Sequence, residues 1–243
     1  MHNAAFEALA LDWRYVALPV PPELLAETVR ALPASGYRGA NVTIPHKEAA
    51  LALAGEASEA SRAIGAANTL TFADGAIHAD NTDAPGLLAA LPRPVEGMTA
   101  LVLGAGGAGR AAVWALREAG AEVSVWNRTS ERASALAQEM GVAGVEAPAT
   151  AQVVVNATAV GLRPDDSIEA LPVAWIDPPE LAVELAYGDH ETPFSTWAKD
   201  GAAELVDGLE VLVRQGALSF ERWTGREAPL EAMRRAARAS SRP

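Results

Sequence analysis

Between Thr99 and Arg132 the chain carries a pattern that few backbones can satisfy. Thr99-Ala-Leu-Val-Leu103 is a short apolar run; it breaks into Gly104-Ala-Gly-Gly-Ala-Gly109 and continues from Arg110 as an alanine-rich helical stretch. A strand, a tight turn and a helix in that order point to alternating β and α units over a parallel sheet. Gly104, Gly106 and Gly109 stand at the G-x-G-x-x-G spacing, with Gly107 and Ala108 completing the loop. The first glycine makes the turn and the second lets backbone approach a pyrophosphate. The third lets the helix lie close on the strand, and the helix N-terminus offers free N–H groups to the anion. The pattern implies a bound dinucleotide.

The end of the following strand, Val123-Ser-Val-Trp126, bears on which dinucleotide. An NAD site usually places a carboxylate there for the ribose hydroxyls. This chain offers Asn127, Arg128 and Thr129, with Arg132 one helical turn on. A guanidinium fork matches the oxygens and charge of a 2′-phosphate, which a carboxylate would repel. NADP is therefore expected over NAD.

The 243 residues carry a net charge of −12, so a nucleic-acid footprint is not expected. An anionic cofactor must bind against that field, which gives weight to a basic cluster of Arg110, Arg128 and Arg132. No apolar run is long enough for a membrane helix. With no cysteine and four scattered histidines, no metal centre is expected. The lack of cysteine fits a cytoplasmic protein, and a monomer or homodimer is expected. Of the 19 basic residues only Lys47 and Lys199 are lysines, and a retained amine, unlike a guanidinium, can give up a proton.

The chain is expected to fold as α/β in two domains. Residues 1–91 read as a small α/β unit. It has helices over Ala4–Leu11, Pro22–Leu32 and Glu48–Ala54, and strands over Arg14–Leu18 and Arg38–Ile44. A hairpin around Ala73-Asp74-Gly75 joins Ala67–Phe72 to Ala76–Ala79, and a short helix ends at Leu91. Pro92-Arg-Pro-Val-Glu-Gly97 is a linker. Strands at 99–103, 122–126, 153–157 and 182–186 alternate with helices, as a Rossmann-type doubly wound sheet requires. Two helices, about 210–223 and 229–240, close the chain. The expected division is 1–91 plus 210–243 for substrate and 92–209 for NADP, the last helices returning to the first domain.

Three stretches of the first unit leave chemically useful side chains at strand ends and turns. They are Asn41-Val-Thr-Ile-Pro-His-Lys47, Gly65-Ala-Ala-Asn-Thr-Leu70 and Asn81-Thr-Asp-Ala-Pro-Gly86. Asn and Asp favour turns for local hydrogen bonding alone. Three such stretches in one small unit, beside a dinucleotide loop, point to a site.

With these motifs the chain resembles the shikimate dehydrogenase family nearly end to end. Further matches are Met1-His-Asn-Ala-Ala-Phe6, Asn156-Ala-Thr-Ala-Val-Gly161, Tyr187 with Thr192, and Asp207-Gly-Leu209 followed by Gln215. The resemblance implies NADP-dependent hydride transfer between shikimate and 3-dehydroshikimate, in the pathway to aromatic amino acids. It makes Lys47 and Asp83 the catalytic pair, and Thr43, Asn68, Tyr187 and Gln215 the substrate ligands. It places Asn156 and Gly208 on the nicotinamide side. The residue types agree, because ketone reduction needs a proton delivered as hydride arrives.

The chain also departs from the family. Glu184 stands where Asp is usual, and Val211 where Met is usual. Family members begin with a strand and a G-x-P-x-x-H-S-x-S-P loop whose serines hold the substrate carboxylate, and Met1 falls just after it. About four buried apolar side chains at ~1.5–3 kcal/mol each would go with that strand. A chain starting at Met1 is expected to be marginally stable and to bind shikimate weakly, so a start codon upstream of Met1 is expected. Two rival readings remain: a quinate/shikimate dehydrogenase using NAD, and a non-catalytic paralogue that senses a cyclic hydroxy acid.

Overall fold

The computed structural model describes residues 1–240. The first part comprises α1 (His2–Ala8), α2 (Leu25–Ala31, entered through a 3-10 turn at Pro22–Leu24), β1 (Gly39–Asn41), α3 (Lys47–Leu53), β2 (Glu56–Ala57), α4 (Glu59–Ile64), β3 (Thr69–Ala73), β4 (Ala76–Asp80) and α5 (Asp83–Ala90). Its sheet has the order β1-β3-β4-β2, with β3 antiparallel to both neighbours and β2 parallel to β4. Asp74 and Gly75 connect β3 to β4, both with positive φ, as a tight hairpin between right-twisted strands requires.

The second part comprises β5 (Thr99–Leu103), α6 (Gly107–Glu118), β6 (Glu122–Trp126), α7 (Ser130–Met140), β7 (Ala143–Gly144), β8 (Val153–Asn156), β9 (Leu181–Glu184), α8 (Pro193–Asp200) and β10 (Glu204–Val206). These strands form one parallel sheet in the order β10-β9-β8-β5-β6-β7. The interior strands β8 and β9 are buried at every position, so each reads as three apolar residues in a row rather than as alternation, closed by a buried polar one, Asn156 or Glu184.

The chain ends in α9 (Gly208–Thr224) and α10 (Leu230–Ser240). Both return to the first part: Val213, Ala217, Phe220 and Met233 share a core with Ala5 and Phe6 of α1. At the crossing of α5 and α9, a Cβ on Gly86 would lie 2.7–2.8 Å from Gln215, so only glycine permits that approach. Ala84 and Leu87 of α5 pack with Ala111, Ala112 and Ala115 of α6, joining the two parts through one apolar cluster.

Four expectations change. Arg14–Leu18 is not a strand: the Asn3 side chain takes both the N–H (2.7 Å) and the carbonyl (3.0 Å) of Tyr15, so that backbone is satisfied without a ladder. The first helix spans His2–Ala8 and closes at Ala10, where φ is positive and Leu11 N bonds to Phe6 O. Strand β1 is shorter than Arg38–Ile44, because a turn closed by His46 N to Thr43 O (2.9 Å) follows it. Elements β2, α4, β7 and β10 lay outside the expected set. The sequence does mark α4 with the cap Ser58, which accepts from Ser61 N, and with left-handed Gly65 at its end.

Candidate active site

Lys47 opens α3 directly after the Thr43–His46 turn, and Asp83 opens α5. A carboxylate suits a helix N-terminus and an ammonium does not, so Asp83, at the start of α5, supplies a paired counter-charge to Lys47 at the start of α3. Lys47 Nζ lies 2.7 Å from Asp83 Oδ2, with the side chains 13% and 20% exposed. The other oxygen, Asp83 Oδ1, accepts from Asn68 Nδ2 at 2.8 Å. The Asn68 amide is oriented by the Thr82 N–H, which donates to its Oδ1 at 2.7 Å. Asn68 Nδ2 also reaches Gln215 Oε1 on α9, at 3.1 Å.

Behind this group the hydroxyls of Thr69, Thr82 and Ser219 form a buried triangle with sides of 2.8–3.1 Å. Asn41 Nδ2 donates to Ser219 Oγ, and the Tyr15 hydroxyl donates to Asn41 Oδ1. Asn41, Thr69 and Thr82 belong to the three motif stretches but had no site role there, and Tyr15 and Ser219 lay outside them. Thr69 and Thr82 each adjoin a chosen residue, and Ser219 follows Gln215 by one helical turn; those spacings were the available signal. Burial, reinforced by the nearby Tyr187, raises the Tyr15 phenol above its ordinary pKa. Tyr187 and Thr43 are exposed and make no side-chain hydrogen bond among the described residues.

The glycine loop meets this cluster. A Cβ on Gly107 would stand 3.1 Å from Cβ and Cδ of Lys47, so the first residue of α6 rests on the lysine stem. Gly104 has φ +109, and a Cβ there would lie 2.8 Å from Ala157 O. A Cβ on Gly109 would overlap Gly104 O, so the helix can lie on the strand only without a side chain. Gly106, by contrast, faces open space within 4 Å. That opening, with the N–H groups of the first turn of α6 beside Ala108, fits a phosphate. At the end of β6, Arg128 and Arg132 are exposed, and their guanidinium groups have no hydrogen bond or ion pair among the described residues, leaving both free for an anion. The residues present therefore fit NADP.

Several expected site residues have other work. Asn127 accepts from Ala105 N (3.1 Å) and donates to Thr129 O (3.0 Å), pinning the glycine loop to the next strand. Arg110 leaves the expected basic cluster: its Nε donates to Ile64 O at 2.5 Å and Nη2 pairs with Glu139. Asn156 is fully buried and donates to Glu184 Oε1 (2.9 Å) and Val160 O (3.0 Å). Glu184 also accepts from Thr192 Oγ1 (2.6 Å) and Ala186 N (2.8 Å); burial nevertheless raises its pKa. Gly208 starts α9 against Ala186 O, where a Cβ would overlap the carbonyl. Asn156, Glu184 and Gly208 thus shape the backbone beside Tyr187.

Among the described residues, no group of three or more His, Cys, Asp or Glu side chains could hold a metal ion. No helix is long and apolar enough to cross a membrane.

Three family models match the chain. "Shikimate dehydrogenase substrate binding domain" covers residues 1–70, "Shikimate / quinate 5-dehydrogenase" covers 89–159, and "Shikimate 5'-dehydrogenase C-terminal domain" covers 208–238. Among curated relatives, a shikimate dehydrogenase (NADP(+)) of Thermus thermophilus is 45% identical over 243 residues, covering 98% of this chain and 91% of the relative. The enzyme of that name from an Anaeromyxobacter species is 44% identical, covering 94% of this chain and 86% of its own length. The crystal structure of shikimate 5-dehydrogenase from Thermus thermophilus in complex with NADP(H) and shikimate superposes with a TM-score of 0.89. It is 43% identical, over 98% of this chain and 92% of that one.

Proposed function

Because the chain belongs to the shikimate dehydrogenase family, we propose that Lys47 and Asp83 are its catalytic pair, working beside a cofactor seated on the glycine loop. The protein is an NADP-dependent oxidoreductase acting on a CH–OH group, a shikimate dehydrogenase, and its pathway leads to aromatic amino acids. The bound cofactor supplies or takes up the hydride.

The protein's own residues handle the proton. An oxygen charge develops as the ketone is reduced, and Lys47 Nζ has donors left for it after bonding to Asp83. Asp83 and Lys47 hold the proton between Oδ2 and Nζ, and Asn68 fixes the carboxylate through its second oxygen. Asn68 and Gln215, already within 3.1 Å of each other, present amides to the ring hydroxyls, and the exposed hydroxyls of Thr43 and Tyr187 complete the set. Gly104, Gly106, Gly107, Ala108 and Gly109 receive the pyrophosphate. Arg128 and Arg132 receive the 2′-phosphate, with Asn127 and Thr129 holding the loop between them. Asn156 and Gly208 act on the nicotinamide side by shaping backbone.

In this reading residues 1–91 with 210–243 form the substrate domain and 92–209 the NADP domain; residues 241–243 lie outside those described. The reading places the enzyme in the cytoplasm, as a monomer or homodimer.

One observation carries it: the 2.7 Å Lys47–Asp83 contact lies directly under Gly107 of the phosphate loop. The test is NADPH formation by the purified chain from shikimate and NADP+, run beside NAD+ and beside quinate. Turnover with NADP+ and shikimate is expected. Preference for NAD+ or quinate contradicts the cofactor or substrate assignment, and binding without turnover points to a sensor.

A further inference from the structure

We propose that Arg110 is a positioning residue that couples cofactor binding to substrate binding, by tying the first turn of α6 to the loop that carries Asn68. The inference rests on the two sites assigned under the proposed function.

Arg110 is the fourth residue of α6, in the turn whose N–H groups would receive the phosphates, yet its side chain is spent on Ile64 and Glu139. The guanidinium is 14% exposed and bridges Ile64 O and Glu139. Ile64 is the last residue of α4, so its carbonyl is among those a helix end leaves without an internal partner. A cation there satisfies the acceptor and opposes the negative end of the helix dipole. The next residue must be glycine: φ is +73 at Gly65, and a Cβ would collide with the guanidinium.

From Ile64 the loop is held at each step. Ala66 O accepts from Asn81 Nδ2 at 2.9 Å, and Ala67 N donates to Lys47 O, also at 2.9 Å. Asn68 follows. Three residues before Arg110, Gly107 rests on the Lys47 stem. Displacing the first turn of α6 therefore disturbs Lys47 at one contact and the Asn68 loop at the other. A ligand that fixes this turn lowers the cost of fixing the second site, and the effect is reciprocal.

Shikimate and NADPH cannot react with each other, both being reduced, so their coupling is measurable by calorimetry on the whole chain. Saturating NADPH should tighten shikimate binding at least about fivefold, and shikimate should tighten NADPH by the same factor. In Arg110→Ala and in Arg110→Met, which keeps the aliphatic stem against unfolding, that factor should fall below about twofold. Each ligand alone should still bind these variants to within about threefold of wild type. Glu139→Gln leaves the Ile64 bond in place and should keep the coupling. A purely structural Arg110 would lower both affinities and leave the factor unchanged. Wild-type coupling in either Arg110 variant overturns the inference, as does a wild type that binds each ligand without coupling. A wild type that binds neither ligand overturns the functional reading beneath it.

Discussion

The glycine loop and the Lys47 cluster lie against each other at Gly107, yet they are assembled differently. The glycine loop is one stretch of chain, and what it offers an anion is mostly backbone: Gly104 turned at positive φ, Gly106 open, and Gly109 pressed on Gly104. The Lys47 cluster takes side chains from α3, the loop before β3, the start of α5 and the middle of α9. The backbone site depends on local conformation and admits no Cβ at Gly104 or Gly109. The side-chain site depends on tertiary packing, which brings together groups far apart in the chain.

The largest expected effect is at the backbone site. Gly109→Ala forces a side chain into the Gly104 carbonyl, so α6 must lift from β5. NADPH binding should be lost and the melting temperature should fall by several degrees, since overpacking costs about 1–3 kcal/mol or more. Fluorescence titration with NADPH and a thermal melt check this. Normal NADPH affinity in a folded Gly109→Ala would break the contrast.

The next effect lies on the side-chain part of the cofactor site. The Arg128 side chain has no partner among the described residues, so its removal should cost the 2′-phosphate contact and little else. Arg128→Ala should raise the KM for NADP+ about ten- to a hundredfold, from ~1.5–3 kcal/mol per charge-assisted bond, with activity on NAD+ nearly unchanged. Equal loss with both cofactors would make Arg128 a folding residue.

The smallest effect concerns the packing beneath the substrate side. His2 is 3% exposed and stacked on Tyr15 at 4.4 Å; neither ring nitrogen has a well-formed hydrogen bond among the described residues, and the nearby Asn41 side chain only partly offsets burial. Burial lowers its pKa to about 4. The unfolded chain takes up a proton near pH 6.5 and the folded one does not. The contribution to stability is therefore complete above that pH and is lost as pH falls towards 4, by a total on the order of 3 kcal/mol. His2→Phe should flatten the melting temperature between pH 7 and 4. An unchanged slope would show that other groups carry it.

The same contrast governs what could be read from residues alone. Strands β5 and β6, the loop and the helix after it were legible because apolar runs and glycine spacing are local. Lys47, Asn68 and Asp83 lie in the three motif stretches, whereas Gln215 was reached only through the family resemblance; α9 brings it to Asn68. The Thr69–Thr82–Ser219 triangle was not, since it forms only when α9 folds back on β3. Arg110 and Asn127 had the right residue type at the right place, but their side chains hold chain segments together. Arg14–Leu18 has the composition of a strand, and Asn3 had taken the backbone groups of Tyr15.

The central claim is that Lys47 and Asp83 act as one unit on the reacting oxygen, apart from the backbone that binds the cofactor. Turnover numbers for Lys47→Ala, Asp83→Asn and the double variant, each with its NADPH dissociation constant, test it most directly. Each single change should cut kcat about 10²–10⁴-fold, the range for a positioned acid–base group, and leave NADPH affinity within a few-fold. The double variant should be hardly slower than the slower single one. Losses that multiply, or a kcat that survives either change, would contradict the account.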